Sequence, residues 1–180
     1  MTNNGPFELL STIRREAKIL ADQGLTYSTQ TTGVKNIAYR VNGVNFFCDA
    51  ADVKEVSVCG SLMVVPQTKG WMRGLVNSKG VLYSVSDLSL FAGFGRAIQI
   101  NKGHLLLLSD EEQQSALLVS RVIGFRYFED AEKIEDIESK QEELDGLASF
   151  VDDGFHADGQ NWFRLNISRL LESAQFREVQ

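Results

Sequence analysis

Few residues of this 180-residue chain have the types and spacing that catalysis needs. His104 and His156 are the only histidines, and neither belongs to the HExxH arrangement of a zinc enzyme. The only GxG motif is Gly93-Phe94-Gly95, and Ile98 stands where a dinucleotide-binding fingerprint places its third small residue. The sequence therefore does not support nucleotide binding or histidine-based catalysis. We expect His104 to be a structural residue at the start of an apolar strand.

Aspartates are the remaining candidates for chemistry. Asp152, Asp153 and Asp158 surround His156, but their spacing differs from that of a calcium-binding loop, and a loop turn is the favoured interpretation. Asp87 follows an apolar strand, as the phosphoacceptor of a receiver domain does, yet the alternating helices of that fold are missing. We expect Asp87 to cap a short helix formed by DLSLFAG. A hydrolase that uses Asp152, Asp153 or Asp87 is a minor alternative.

The elements that position these residues are mostly short strands. Strands are predicted over 36–41, 44–50, 53–58, 62–65, 81–87, 97–100, 104–110, 116–128 and 162–167. Turn signals such as Asn42-Gly43 and Lys79-Gly80 separate them. Strands this short and this closely spaced favour a β-barrel or a β-sandwich.

Helices are predicted at both ends of the chain. Residues 1–25 read as an amphipathic helix that Asn4-Gly5-Pro6 opens and Gly24 ends. Asn166 or Ser168 is expected to cap a closing helix. The apolar stripe of the first helix consists of Phe7, Leu10, Ile13, Ala17, Leu20 and Ala21.

The segment 69–95 combines a helical pattern, glycine joints and a strand. Gly74 and Gly80 allow positive φ or a close backbone approach on either side of the strand start. The segment has no nucleophile and no cluster of metal-ligating residues, so we interpret it as a surface that another protein binds. The residues that share one face of the predicted helix are Trp71, Met72, Leu75 and Val76.

The charge of the chain is concentrated in one segment. The net charge is −6, and residues 129–145 hold nine acidic and two basic side chains, so this run is −7 and the rest of the chain is +1. No Lys/Arg face is evident, so the sequence does not support nucleic-acid binding. A solvated helix or loop is the favoured interpretation of the run, and an acidic docking surface is the alternative.

The cysteines and the apolar runs bear on where the chain works. Cys48 and Cys59 are too few for a disulfide framework or a zinc site and are expected to be buried hydrophobes. No apolar run approaches the ~20 residues of a membrane helix, and no secretory signal is evident at the start of the chain. We therefore expect a cytoplasmic protein.

The order of motifs in the middle of the chain resembles the CheW family of chemotaxis coupling proteins. The matching segments are Val53–Val56, Val65-Pro66, Trp71–Gly80 and Val85–Leu88. Segments near the two ends, Pro6–Leu10 and Phe176–Val179 with Trp162, resemble the branch of that family that belongs to type IV pilus twitching systems.

This resemblance implies a mainly β, CheW-like fold of two intertwined five-stranded SH3-like barrels with a short C-terminal helix and no active site. The CheW-like domain is then expected over 33–178, after the N-terminal helix. A boundary between two lobes is expected near residue 95, with the C-terminal segment returning to the first lobe.

The resemblance also implies a function and a site. Such proteins bridge the cytoplasmic tip of a methyl-accepting chemoreceptor and the regulatory domain of a CheA-like histidine kinase, in receptor arrays at the membrane. By position, a receptor-facing groove would include Val53, Glu55, Asn77, Lys79 and Gly80, with its floor supported by Gly74 and Leu75. No cofactor, metal or membrane insertion is implied.

The chain departs from the family pattern at two positions, and one alternative function stays open. Many family members have arginine at the position of Lys79, and lysine cannot make the planar bidentate contact of arginine. Ser84 replaces a frequent proline, which should soften the strand without changing the topology. The alternative function is a ligand-binding barrel whose pocket forms around Trp71, Phe91 and Phe94.

Overall fold

The computed structural model describes residues 35–110, 112–129 and 132–179. The helix predicted over 1–25 lies outside these residues. Within the described part, strands and a few short helices form a mainly β structure with two five-stranded sheets. The mainly β fold predicted from the sequence is confirmed.

The first sheet joins strands from the beginning and the end of the described chain. Its strands are β1 (Asn36–Val41), β2 (Val44–Asp49), β8 (Arg121–Arg126), β9 (Val151–Ala157) and β10 (Gln160–Leu165). They lie in the order β8-β1-β2-β10-β9. Strand β10 runs parallel to β2 with Phe163 opposite Phe46, and the other neighbours are antiparallel.

The second sheet is built from the middle of the chain. Its strands are β3 (Val53–Val58), β4 (Met72–Ser78), β5 (Val81–Asp87), β6 (His104–Leu108) and β7 (Ser115–Val119). They lie in the order β3-β6-β7-β5-β4, with β5 parallel to β7. Sheet membership changes between Asp49 and Val53 and again between Val119 and Arg121, and not near residue 95.

Short helices connect and close the sheets. The α-helices are α1 (Leu88–Ala92), α2 (Gln141–Leu144), α3 (Ile167–Glu172) and α4 (Ala174–Arg177). Segments of 3-10 helix are Ala50–Asp52, Glu138–Lys140 and Asp145–Phe150. Asp87 caps α1 and Asn166 caps α3 by accepting backbone N–H bonds, so both predicted caps are confirmed.

One hydrophobic core takes side chains from both sheets. Phe46 and Phe163 of the first sheet share a cluster with Leu106 and Leu117 of the second, and all four are almost fully buried. Burying this apolar surface is the main driving force for folding. Cys48 and Cys59 are free and buried, as the sequence predicted.

The helix predicted from Trp71, Met72, Leu75 and Val76 is wrong, because Met72–Ser78 forms β4. The register between β4 and β5 shifts between Met72 and Gly74. An irregularity of this kind adds a residue to one strand and breaks the alternation of its side chains. The apolar spacing of the strand therefore resembles that of a helix.

Four further expectations are corrected, the first being the strand predicted over 116–128, which is divided into β7 of the second sheet and β8 of the first. Within 62–65, Met63 forms only a single bridge with Leu75, and residues 97–100 form no strand. His156 lies in β9 opposite Asn161 and not in a loop turn. His104 begins the apolar strand β6, as expected.

In the acidic run 129–145, the residues that the structure describes pack against the rest of the fold through their apolar side chains. The Ile134 N–H donates to the Gly154 carbonyl at 2.7 Å, and Leu144 is fully buried. The side chains of Ile134 and Ile137 would lie 3.2 Å from a Cβ placed on Gly154, so this glycine gives them room. Among the described residues, no helix is both long enough and apolar enough to cross a membrane.

Candidate partner-binding groove

An open apolar groove of about 400 Å³ lies between β3 of the second sheet and β8 of the first. Both strands are at the edge of their sheets, so neither side of the groove is covered by a further strand in the described part of the chain. We call it the β3–β8 groove. Its lining consists of Ile37, Val53, Lys54, Glu55, Val56, Val122, Gly124 and Phe125.

An irregularity in β3 explains the apolar wall of the groove, because the register against β6 shifts between Val53 and Glu55 and so breaks the strict alternation of side chains. Val53 is buried, whereas Val56 keeps 40% of its surface exposed. On the opposite wall, Phe125 is 59% exposed, and the Lys35 Nζ lies 3.7 Å from the centre of its ring. Large apolar side chains that remain exposed around one groove mark a binding surface.

An ion pair lies on the rim of this groove. The Lys79 Nζ donates to Glu55 Oε2 at 2.6 Å. Glu55 lies on β3, and Lys79 lies in the turn between β4 and β5. The side chain of Lys79 is 79% exposed, so its ammonium group is available to a partner.

The turn that carries Lys79 has the geometry of a tight β-hairpin. Ser78 pairs with Val81, which leaves a two-residue loop in which Lys79 has φ 54° and Gly80 has φ 87°. Positive φ at both positions is typical of a type I′ turn and favours glycine at the second. The Gly80 N–H also donates to Asn77 Oδ1 at 2.9 Å. Asn77 and Gly80 therefore fix the position of Lys79.

Gly74 and Leu75 hold β4 against the loop that precedes it and do not line the β3–β8 groove. Leu75 exchanges two backbone hydrogen bonds with Met63, both of 2.8 Å. Gly74 has φ 131°, and a Cβ placed on it would lie 2.3 Å from the Met63 carbonyl oxygen. Only glycine allows this close approach.

The predicted site residues thus divide into those at the groove and those that only support the strands and the turn beside it, namely Gly74, Leu75, Asn77 and Gly80. Val53 and Glu55 line the groove, and Lys79 reaches it through Glu55. Sequence reasoning missed the whole β8 wall, including Val122 and Phe125. A signal was present, because Gly124 interrupts the apolar run of Val122, Ile123 and Phe125, and such glycines often mark bulges or close approaches.

The aspartates singled out for chemistry are all held in ion pairs. Asp87 is fully buried and accepts from an Arg73 guanidinium nitrogen at 2.8 Å. Asp152 pairs with Arg169, and Asp153 pairs with Lys133, both at 2.6 Å. Within the described ranges, no group of three His, Cys, Asp or Glu side chains could hold a metal ion.

The space around Trp71 is filled by protein. Phe91 packs edge-on at 5.4 Å between ring centres, and Phe176 stacks on Trp71 at 5.5 Å. Both Trp71 and Phe91 are buried. The ligand pocket suggested around these rings is therefore occupied by Phe176 of α4.

Burial raises the pKa of two groups, the Cys48 thiol and the Asp52 carboxyl. It raises the pKa of the Cys48 thiol far above its usual value, so this thiol stays protonated and unreactive at neutral pH. Burial and then the charge of Asp49 raise the pKa of Asp52, against the opposing effect of Arg164.

The comparisons with known proteins agree with this geometry. The family model for the CheW-like domain matches residues 36–175. The protein PilI of Pseudomonas aeruginosa is 24% identical over 178 residues, which cover 97% of this chain and 96% of PilI. The crystal structure of the scaffolding protein TtCheW from Thermoanaerobacter tengcongensis has the same fold, with a TM-score of 0.68 at 18% identity over 83% of this chain and 94% of that one.

The chain therefore belongs to the CheW-like domain family, as the motif order predicted. Membership places it among the coupling and scaffold proteins of chemosensory systems, whose members are not catalysts.

Proposed function

We propose that this chain is a non-catalytic adaptor that couples the cytoplasmic tip of a methyl-accepting chemoreceptor to the regulatory domain of a CheA-like histidine kinase. The pathway would control type IV pilus twitching motility, and the similarity to PilI supports this part of the proposal. The adaptor would work in the cytoplasm, recruited to membrane receptor arrays. The observation that carries the proposal is the apolar β3–β8 groove with an ion pair on its rim.

The groove suits the apolar face of a helix. Val56 and Phe125 offer exposed apolar surface on opposite walls, and their burial by a helix would supply most of the binding free energy. Glu55 and Lys79 would contact polar residues of the same helix and fix its register.

The other predicted residues would act by supporting this surface. Asn77 and Gly80 shape the hairpin that presents Lys79, while Gly74 and Leu75 hold β4 in place behind the hairpin. Each single contact is expected to be of modest affinity, since repeated contacts in a receptor array add avidity.

The first experiment is a pull-down with a purified receptor signalling tip. Val56→Glu places a charge on the apolar wall and is expected to weaken the association by about tenfold or more. Val64→Glu is the matched control, because Val64 is 79% exposed and does not line the groove. Equal binding by the two variants would refute the groove as the receptor site.

The second experiment tests the coupling itself. The purified chain is mixed with the receptor tip and with the kinase regulatory domain, separately and together, and complexes are separated by size-exclusion chromatography. An adaptor is expected to associate with each and to bring both into one complex. If neither partner associates at concentrations of tens of micromolar, the proposal is wrong.

A further inference from the structure

Three arginines surround a second cleft, of about 330 Å³, although the chain as a whole carries a net charge of −6. We call it the arginine cleft. Strand β8 borders both cavities, since Ile123 lines the arginine cleft whereas its neighbours Val122 and Gly124 line the β3–β8 groove. The lining side chains on which the argument depends are Arg40, Arg121, Ile123, Arg126, Asp158 and Trp162.

The positive charge of this cleft is only partly compensated. Arg126 pairs with Asp158, the one carboxylate in the lining. Arg40 donates to neutral amides, with its Nε 2.9 Å from Asn45 Oδ1. Among the described residues, no carboxylate lies within ion-pairing distance of Arg121. Three guanidinium groups face one carboxylate, which leaves the cleft with a charge of about +2.

Ring contacts and hydrogen bonds hold two of the three guanidinium groups, those of Arg126 and Arg40, in place. The Arg126 guanidinium lies over the Trp162 ring at 4.3 Å from its centre and over Phe128 at 5.7 Å. Arg40 is held by Asn45 and, at 3.4 Å, by the side chain of Gln160. Arginines that are already ordered lose little entropy when they bind a carboxylate with two parallel hydrogen bonds.

The strand between the two cavities is also open for backbone pairing. Strand β8 is the last strand of the first sheet and pairs only with β1 in the described part of the chain. Its apolar residues Ile123, in the arginine cleft, and Phe125, in the β3–β8 groove, are 42% and 59% exposed. An exposed apolar edge strand is a template for the addition of a strand from another protein.

From these features, we propose that β8 docks an extended segment of a partner protein in which carboxylate and apolar side chains alternate. Successive side chains of a strand point to opposite faces of a sheet. One set, the carboxylates, would then face Arg40, Arg121 and Arg126 in the arginine cleft. The other set, the apolar side chains, would face the β3–β8 groove. This inference goes beyond the receptor and kinase contacts of the proposed adaptor.

A second copy of this chain is not the expected occupant. If two β8 strands paired antiparallel over their full length about a two-fold axis, Arg121 of one copy would lie opposite Arg126 of the other. Like charges directly opposite each other destabilise strand pairing. A segment with negative charge fits the cleft, so the occupant is assigned to a different, acidic protein segment.

The test measures binding of a synthetic peptide to the full chain by fluorescence anisotropy. The probe is an eight-residue peptide of alternating valine and glutamate with an N-terminal fluorescein. A matched peptide with glutamine in place of glutamate is expected to bind about tenfold more weakly or worse, because it cannot form charge-assisted bonds. Backbone N-methylation of alternate residues, which removes the pairing N–H groups, is expected to abolish binding.

Two variants of the chain locate the site. Arg121→Glu is expected to weaken binding of the glutamate peptide by about tenfold or more, since it reverses a charge in the cleft. Arg96→Glu is the matched control, because Arg96 is also exposed and does not line the cleft. This control is expected to change the affinity by less than about twofold.

Three results would overturn the proposal: equal affinity for the two peptides, equal weakening by the two variants, or full binding of the N-methylated peptide. Failure of this proposal can be distinguished from failure of the receptor proposal. Arg121 does not line the β3–β8 groove, so a normal receptor pull-down with Arg121→Glu would accompany the loss of peptide binding.

Discussion

The Lys79 Nζ lies 2.6 Å from Glu55 Oε2 and joins the β4–β5 hairpin to β3, although β4 and β3 lie at opposite edges of the second sheet. The contact lies where the two edges of the sheet come close to each other, at the rim of the β3–β8 groove. Because the pair is largely exposed on the lysine side, its free-energy contribution to folding is small. Its position favours a role in recognition.

The first prediction concerns this ion pair. Lys79→Glu is expected to weaken receptor association, since it places two carboxylates side by side on the groove rim. The free energy of unfolding should change by less than about 0.5 kcal/mol. A pull-down measures the first quantity and urea unfolding the second. Lys69→Glu, in the exposed pair with Glu178, is the matched control. A large loss of stability in Lys79→Glu would show that Lys79 is structural.

Regular alternation of side chains decided which strands of the second sheet could be predicted from the sequence. The strand 81–87 was predicted within its true bounds, because Val81, Tyr83 and Val85 alternate regularly. Strand β4 was not, because the irregular register near Gly74 breaks that alternation. The close approach of Gly74 to Met63 is a contact between separate segments, and such contacts leave no local periodicity.

The groove itself could be predicted only in part for the same reason. Val53 and Glu55 belong to a recognisable motif, so the β3 wall was proposed from the sequence. Strand β8 reaches the groove because it pairs with β1, some 85 residues earlier in the chain, as in the pair of Ile37 with Phe125. Pairing over such a distance depends on the tertiary fold, which neither propensity nor spacing encodes locally.

The second prediction concerns Gly74. Gly74→Ala is expected to lower the free energy of unfolding by about 2–4 kcal/mol, because φ 131° is strained for alanine and the new Cβ meets the Met63 carbonyl. Urea unfolding followed by tryptophan fluorescence measures the change. Gly60→Ala is the control, since nothing lies within 4 Å of a Cβ at that position. Equal effects of the two substitutions would contradict the close-approach argument.

The third prediction concerns the buried carboxylate of Asp87. This carboxylate accepts from the backbone N–H groups of Ser89, Leu90 and Ile98 and from Arg73. Asp87→Asn keeps the size but leaves the Arg73 cation without its partner, so we expect a loss of about 3–5 kcal/mol. Thermal and urea unfolding measure this loss.

Asp152→Asn is the control for Asp87→Asn. Its partner Arg169 is half-exposed, with 50% of the side chain accessible, so water replaces the lost pairing. The free energy of unfolding should change by less than about 1 kcal/mol. A loss as large as that of Asp87→Asn would mean that burial is not what makes the Asp87 pair important.

The fourth prediction concerns the pH dependence of stability at Asp52. Its pKa is raised in the folded state by burial and by the nearby charge of Asp49. The folded chain therefore binds more protons than the unfolded chain between the ordinary carboxyl pKa of about 3.9 and the raised value. As pH rises through this window, the stability contribution of Asp52 falls, and it stays low at neutral pH.

Asp52→Asn removes the charge that burial and Asp49 disfavour, and its amide oxygen can still accept the backbone hydrogen bond from Asp49. The variant is therefore expected to be more stable than the parent chain at pH 7. Below about pH 3 the carboxyl is protonated in both states, so the two chains should unfold at the same urea concentration. Urea midpoints measured across this pH range test the sign. A variant less stable than the parent at pH 7 would show that the attraction between Asp52 and Arg164 outweighs the cost of burying the charge.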